Sequence, residues 1–286
     1  MLPERSVYTA ILTPFTEGGT IDEGLFLRLL AFQEAAGVNG VVVAGSTGEG
    51  ASLSAPEKGR LYELAVQGRG RLQIIAGVLT SSLTEAQFLC QKAQKLSCDA
   101  LMIAPPFYFP APLEGLIAYF RAILETTSLP VILYNIPQRT RVPILPALIE
   151  ALLGYPHLIG IKDSSGDLAQ LEQYLRYVPR LRVWVGEEKF LLKCLQGGGA
   201  GTISGLANVR PQPLVQIVAR FNAGEVCEGT QAQVDAFADA IDAFPAPANF
   251  KYALTHYGFP LSPVRPPLTE LDPEQRAAID QLMRTP

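Results

Sequence analysis

Histidine and cysteine are scarce in this chain: only His157 and His256, and Cys90, Cys98, Cys194 and Cys227, occur in 286 residues. The cysteines are irregularly spaced with no Cys-x-x-Cys pair, and neither histidine stands in a metal-ligand pattern, so neither a zinc site nor a dithiol redox centre is expected. The thiols read as buried free cysteines. Long apolar runs are lacking too. The stretch at residues 38–44 is far short of the ~20 residues that a membrane-spanning helix needs. No run of Lys and Arg exists, and the net charge is -4, which leaves no basic face for nucleic acid. The opening segment MLPERSVYTAILTP lacks the basic region, apolar run and cleavage site of a secretion signal, so a cytoplasmic location is expected.

What is present is globular in composition, 48% hydrophobic and 17% charged. Short β-like runs recur along the chain: VYTAIL from Val7, GVVVA from Gly40, LQIIAGV from Leu72, DALMIA from Asp99, PVILYN from Pro130, LIGIK from Leu158, LRVWVG from Leu181 and GTIS from Gly201. Stretches with helical spacing lie between them, such as Leu25, Leu29, Leu30, Phe32 and Leu168, Leu171, Tyr174, Leu175. Near-continuous apolar strands alternating with helices predict an α/β fold, a (β/α)8 TIM barrel. An open doubly wound sheet is the rival, but no GxGxxG follows the first strand, and the glycines at 197–201 have the wrong spacing. From about Arg210 onward the chain reads as further helices, broken by FPAPANF and FPLSPVRPPL. The barrel is assigned to residues 1–222 and a C-terminal helical appendage to 223–286, within one principal domain.

In such a barrel the active site lies at the carboxyl ends of the strands. Lys162 ends the apolar run of the sixth strand. Partial desolvation there disfavours an ammonium and enlarges the neutral, nucleophilic fraction that a Schiff-base lysine requires. Pairing with Asp163, or snorkelling at the strand end, is the alternative. Tyr134 ends the neighbouring strand, where a phenol can relay protons or simply fill the core. Ser46 and Thr47, in a glycine-flanked turn, suit a carboxylate through hydroxyls and amides, although such turns are common. Arg139 is a candidate bidentate clamp or a solvated loop residue. The fourth strand runs into Phe107 and Tyr108.

GSTGE (residues 45–49), YNIPQRT (134–140), GIKDSSGD (160–167) and GTIS (201–204), with LTPF (12–15) and PPFYF (105–109), together resemble the dihydrodipicolinate synthase and N-acetylneuraminate lyase family over nearly the whole barrel. The resemblance implies a Schiff base on Lys162, proton transfer by Tyr134 with Ser46 and Tyr108 in its relay, and Tyr108 reaching into the adjoining subunit of a homotetramer built as a dimer of dimers. It also implies that Thr47 holds the keto-acid carboxylate, and that Gly186 and the Ile203 carbonyl line the pocket. The partners implied are pyruvate and an aldehyde, with no metal or organic cofactor.

Arg139 resembles the arginine by which the synthases hold aspartate semialdehyde, whereas Ser46 in GSTGE resembles the lyases. VRPPL (264–268) and PPFYFP resemble 2-keto-3-deoxygluconate aldolases, where Glu187 and Glu188 could bind a polyol tail. The best expectation is 4-hydroxy-tetrahydrodipicolinate synthase, with a sugar-acid aldolase as the alternative. Lysine-inhibited members carry a histidine and a tyrosine where this chain has Lys58 and Phe107, so no inhibition by lysine is expected. Two other classes are open: a barrel enzyme binding phosphate at residues 197–201, and an inactive barrel that serves as a binding protein.

Overall fold

A computed structural model describes residues 2–284. Its strands are β1 (Ser6–Ala10), β2 (Gly40–Val43), β3 (Gln73–Val78), β4 (Ala100–Ile103), β5 (Val131–Asn135), β6 (Leu158–Asp163), β7 (Arg182–Val185) and β8 (Gly201–Ser204). Each pairs in parallel with the next, and β8 returns to β1 to close the expected barrel. Helices α1 (Glu23–Ala35), α2 (Ala55–Gln67), α3 (Leu83–Lys95), α4 (Leu113–Leu124), α5 (Pro137–Thr140), α6 (Pro146–Leu152), α7 (Leu168–Leu175), α8 (Leu191–Gln196) and α9 (Pro211–Asn222) join and follow the strands. Beyond them come α10 (Glu228–Ile241), α11 (Ala248–Ala253) and α12 (Pro273–Arg284). No helix among the described residues is long and apolar enough to cross a membrane.

Burial on both faces is why the strands read as apolar runs, and the two-residue period divides each run between two cores. Val131 and Leu133 of β5 join the layer between sheet and helices, while Ile132 and Tyr134 point into the barrel with Val42, Met102 and Ile203. Trp184 plugs the interior, donating to Ser6 Oγ at 3.0 Å and meeting the Tyr8 ring edge-on at 6.4 Å. Gly160 is required beside it: a Cβ there would lie 2.7 Å from Trp184 Cζ3.

Leu25, Leu29 and Leu30 of α1 are buried as their spacing predicts, but Phe32 is not on that face. Its ring packs against Tyr257 and Phe259 of the C-terminal region, and Gln33 turns to the core instead. Gln33 is tolerated there because Thr9 Oγ1 donates to it at 2.7 Å and the Ala207 carbonyl accepts from it at 3.1 Å. The glycines at 197–201 lead into β8 and so lie at the amino end of the strands, away from the mouth. They serve close packing: Gly201 has φ 112, and a Cβ on Gly199 would strike Cys194 Sγ. The phosphate site considered there is not at the end of the barrel where such chemistry occurs.

The segment between α11 and α12 returns to the barrel mouth. Ser262 Oγ accepts from the Phe15 N–H at 2.7 Å, and Arg265 donates to the Gly19 carbonyl at 3.0 and 2.6 Å and to Glu57 at 2.5 Å. The hydrogen bond from Arg265 holds the Glu57 carboxyl down to about 2, against 4.5 ordinarily. A depressed carboxyl contributes stability above its ordinary value and loses it as pH falls towards the folded value. Arg265→Met is therefore expected to melt at lower temperature than the parent at neutral pH, with the gap narrowing between pH 4.5 and about 2. A gap in Tm that is constant across this window contradicts the assignment.

Candidate active site

β5 and β6 are in register with Tyr134 opposite Lys162 and Asn135 opposite Asp163. The strand period therefore turns the first pair into the barrel mouth and the second pair outward. Asp163 accepts from Asn135 Nδ2 at 2.8 Å and from the N–H and hydroxyl of Ser165 at 3.1 and 3.0 Å. The pairing of Lys162 with Asp163 that the sequence allowed does not occur. Lys162 is 4% exposed and joins no salt bridge among the described residues; its Nζ lies 4.4 Å from the centre of the Tyr134 ring. Gly186 makes room for it, because a Cβ at that position would overlap Ser164 Oγ and stand 2.8 Å from Lys162 Cε.

The Tyr134 hydroxyl lies 3.3 Å from Ser46 Oγ. Burial pushes this phenol up, but the Lys162 charge, the Ser46 and Ser164 hydroxyls and the Arg139 charge outweigh it, so the phenol ionises below its ordinary value. Ser46 and Thr47 sit on a tightly held turn. Ala44 and Glu49 both have positive φ, at 56 and 55, and Thr13 Oγ1 donates to the Gly48 carbonyl at 2.6 Å. A Cβ on Gly48 would stand 2.7 Å from the Ile11 carbonyl oxygen.

Thr47, Tyr134, Arg139, Lys162 and Gly186 line one cavity of about 220 Å³ at the strand ends. It adjoins an apolar chamber of about 370 Å³, with Ser46, Ile136 and Arg139 in both walls. Three acidic residues, Glu187, Glu188 and Asp242, line the same cavity. Glu188 is buried and raised for that reason, with the Ser204 hydroxyl, 2.5 Å away, pulling it back. Burial also raises Glu187, with Glu188 adding to it, and burial together with Glu187 pushes Asp242 up to about 6. Among the described residues, no three His, Cys, Asp or Glu side chains are grouped to hold a metal ion.

One expected site residue stands apart. Tyr108 has φ 96 and is 87% exposed, pairing edge-on with Phe109 outside the cavity of its own chain. The Ile203 side chain packs in the barrel interior with Tyr8 and Trp184. Asp242 and Phe250, which also line the cavity, escaped the sequence reading because they belong to the C-terminal helices and carry no motif. Lys58 is 2% exposed, and its ammonium donates to the Leu79 carbonyl at 3.0 Å and to Glu85 at 2.9 Å.

A family model described as the dihydrodipicolinate synthetase family matches residues 3–285. An uncharacterised DapA-like lyase of Chloroflexus aurantiacus is 36% identical over 288 residues, covering 98% of this chain and 96% of the relative. The 4-hydroxy-tetrahydrodipicolinate synthase of Syntrophus aciditrophicus is 34% identical, covering 98% and 97%. Among solved structures, the dihydrodipicolinate synthase DapA-2 of Bacillus anthracis superposes with a TM-score of 0.94 at 29% identity, over 100% of this chain and 99% of that one. The barrel and these matches agree: the chain belongs to the dihydrodipicolinate synthetase family, whose members are lyases.

Proposed function

We propose that the protein is a class I lyase in which Lys162 forms a Schiff base with pyruvate. The observation that carries this reading is a buried lysine with no salt-bridge partner among the described residues, beside a phenol that ionises below its ordinary value. The neutral amine attacks the keto carbon, and Tyr134, hydrogen-bonded to Ser46, passes the proton that lets water leave. Thr47 and the amides of its turn hold the pyruvate carboxylate. Loss of a methyl proton gives an enamine, which attacks the aldehyde of the second substrate. Hydrolysis or cyclisation then frees Lys162. No metal or organic cofactor takes part in this scheme.

For the second substrate, we favour aspartate semialdehyde and hence 4-hydroxy-tetrahydrodipicolinate synthase activity, with Arg139 clamping the acceptor carboxylate. The acidic wall of Glu187, Glu188 and Asp242 favours a second reading, a sugar-acid aldolase whose acceptor presents hydroxyls. The relay is completed across subunits in a dimer-of-dimers homotetramer, where Tyr108 enters its partner's site. The exposure and left-handed backbone of Tyr108 support this, since an unsupported non-glycine residue in that region costs about 1–3 kcal/mol. Sedimentation at assay concentrations is expected to give a tetramer; a monomer with full activity contradicts the shared relay.

Arg139→Ala is expected to raise the KM for aspartate semialdehyde about 10- to 100-fold, the loss of a charge-assisted hydrogen bond, with the pyruvate KM nearly unchanged. A parent that turns over 2-keto-3-deoxygluconate faster, with Arg139→Ala unaffected, supports the aldolase instead. In the same assay millimolar lysine is expected to leave the rate intact, because the Lys58 ammonium already occupies Glu85 and the Leu79 carbonyl. Substantial inhibition sinks that expectation.

A further inference from the structure

Three segments without a part in this chemistry meet at one buried point: LTPF (12–15), the glutamate that ends GSTGE (45–49), and VRPPL (264–268). Glu49 is 4% exposed and holds φ 55, a left-handed conformation that needs support in a residue with a side chain. Both carboxylate oxygens are engaged: Oε1 lies 2.6 Å from Lys251 Nζ, and Oε2 accepts from the Arg265 backbone N–H at 3.0 Å. Lys251, 2% exposed, also donates to the Pro263 carbonyl at 2.6 Å. The Phe15 ring receives both cations, with Lys251 Nζ 4.4 Å and Arg265 Cζ 4.2 Å from its centre.

This cluster touches the site from two sides. Glu49 is two residues from Thr47, and Phe250, next to Lys251, lines the cavity. A Cβ on Gly205 would stand 3.1 Å from Thr47 Oγ1 and 3.4 Å from the Phe250 ring, so the turn and α11 close on each other there. A buried ion pair stabilises no better than a well-packed apolar pair, so stability alone gives no reason for charges at this point.

We infer that Glu49, Lys251 and Arg265 are positioning residues through which the C-terminal segment sets the turn carrying Ser46 and Thr47, and hence the seat of the keto-acid carboxylate. This rests on the Schiff-base reading above. Lys251→Met strands the Glu49 charge, whereas Glu49→Gln combined with Lys251→Met removes both charges. Each variant is compared with the parent for Tm, pyruvate KM and the rate at which borohydride traps pyruvate per folded molecule. The double variant is expected to recover most of the Tm lost by Lys251→Met while its pyruvate KM stays about tenfold or more above the parent's and trapping stays slow, as misplacement of a binding group demands. KM and trapping that return to parental values together with Tm overturn the role and leave a merely structural pair. If neither variant folds, Arg265→Lys keeps the backbone contact to Glu49 but loses the side-chain fork; a raised pyruvate KM supports the inference and an unchanged one overturns it. A parent that traps no pyruvate sinks the Schiff-base reading and this role with it, whereas parental trapping with unaltered variants sinks this role alone.

Discussion

A lysine amine held out of water against a phenol ring, with no salt-bridge partner among the described residues, is the interaction around which this barrel end is organised. Its Nζ lies over the Tyr134 ring, and the Lys162 charge is one of the causes that hold that phenol below its ordinary value. The strand period enforces the arrangement. Because β5 and β6 pair with Tyr134 opposite Lys162, the adjoining Asn135 and Asp163 are turned to the other face, where the aspartate is satisfied by Asn135 and Ser165 rather than by the lysine. A one-residue slip between these strands would bring Asp163 into the mouth and remove Lys162 from it. Gly186 completes the arrangement by leaving space for the lysine arm.

The end of the cavity away from Lys162, where the proposal seats the acceptor, mixes charges of both signs. Arg139 stands on the short α5 and borders both chambers, while Glu187, Glu188 and Asp242 supply acid from β7's exit and from α10's end. On the proposed reading the keto-acid chemistry is built on strand ends, and the groups that would meet the second substrate stand on the following loops and the C-terminal helices. This division explains how one mechanism accommodates different acceptors within a family.

Much of this was legible in the sequence because apolar runs of strand length mark each β-strand, and the polar residue that ends a run points to the mouth. Lys162, Tyr134, Ser46 and Thr47 were read that way and line one cavity at the strand ends, and the helical stripe of α1 was read correctly at Leu25, Leu29 and Leu30. What escaped depends on contacts distant along the chain. Phe32 and Gln33 exchange faces because Phe259 and Thr9 are their partners, and no local pattern encodes either. Asp242 and Phe250 lie in what reads as an appendage, yet its packing brings them to the mouth. Glu49, taken for part of a binding turn, spends its carboxylate on Lys251, some two hundred residues later in the chain.

The central claim is that Lys162, and no other amine, takes pyruvate. The protein is incubated with pyruvate, reduced with borohydride and mapped by peptide mass, with Lys162→Ala as control. A reduced pyruvyl adduct confined to the peptide containing Lys162, and absent from the variant, is the predicted result. An adduct on another lysine, or none on folded parent protein, contradicts the account.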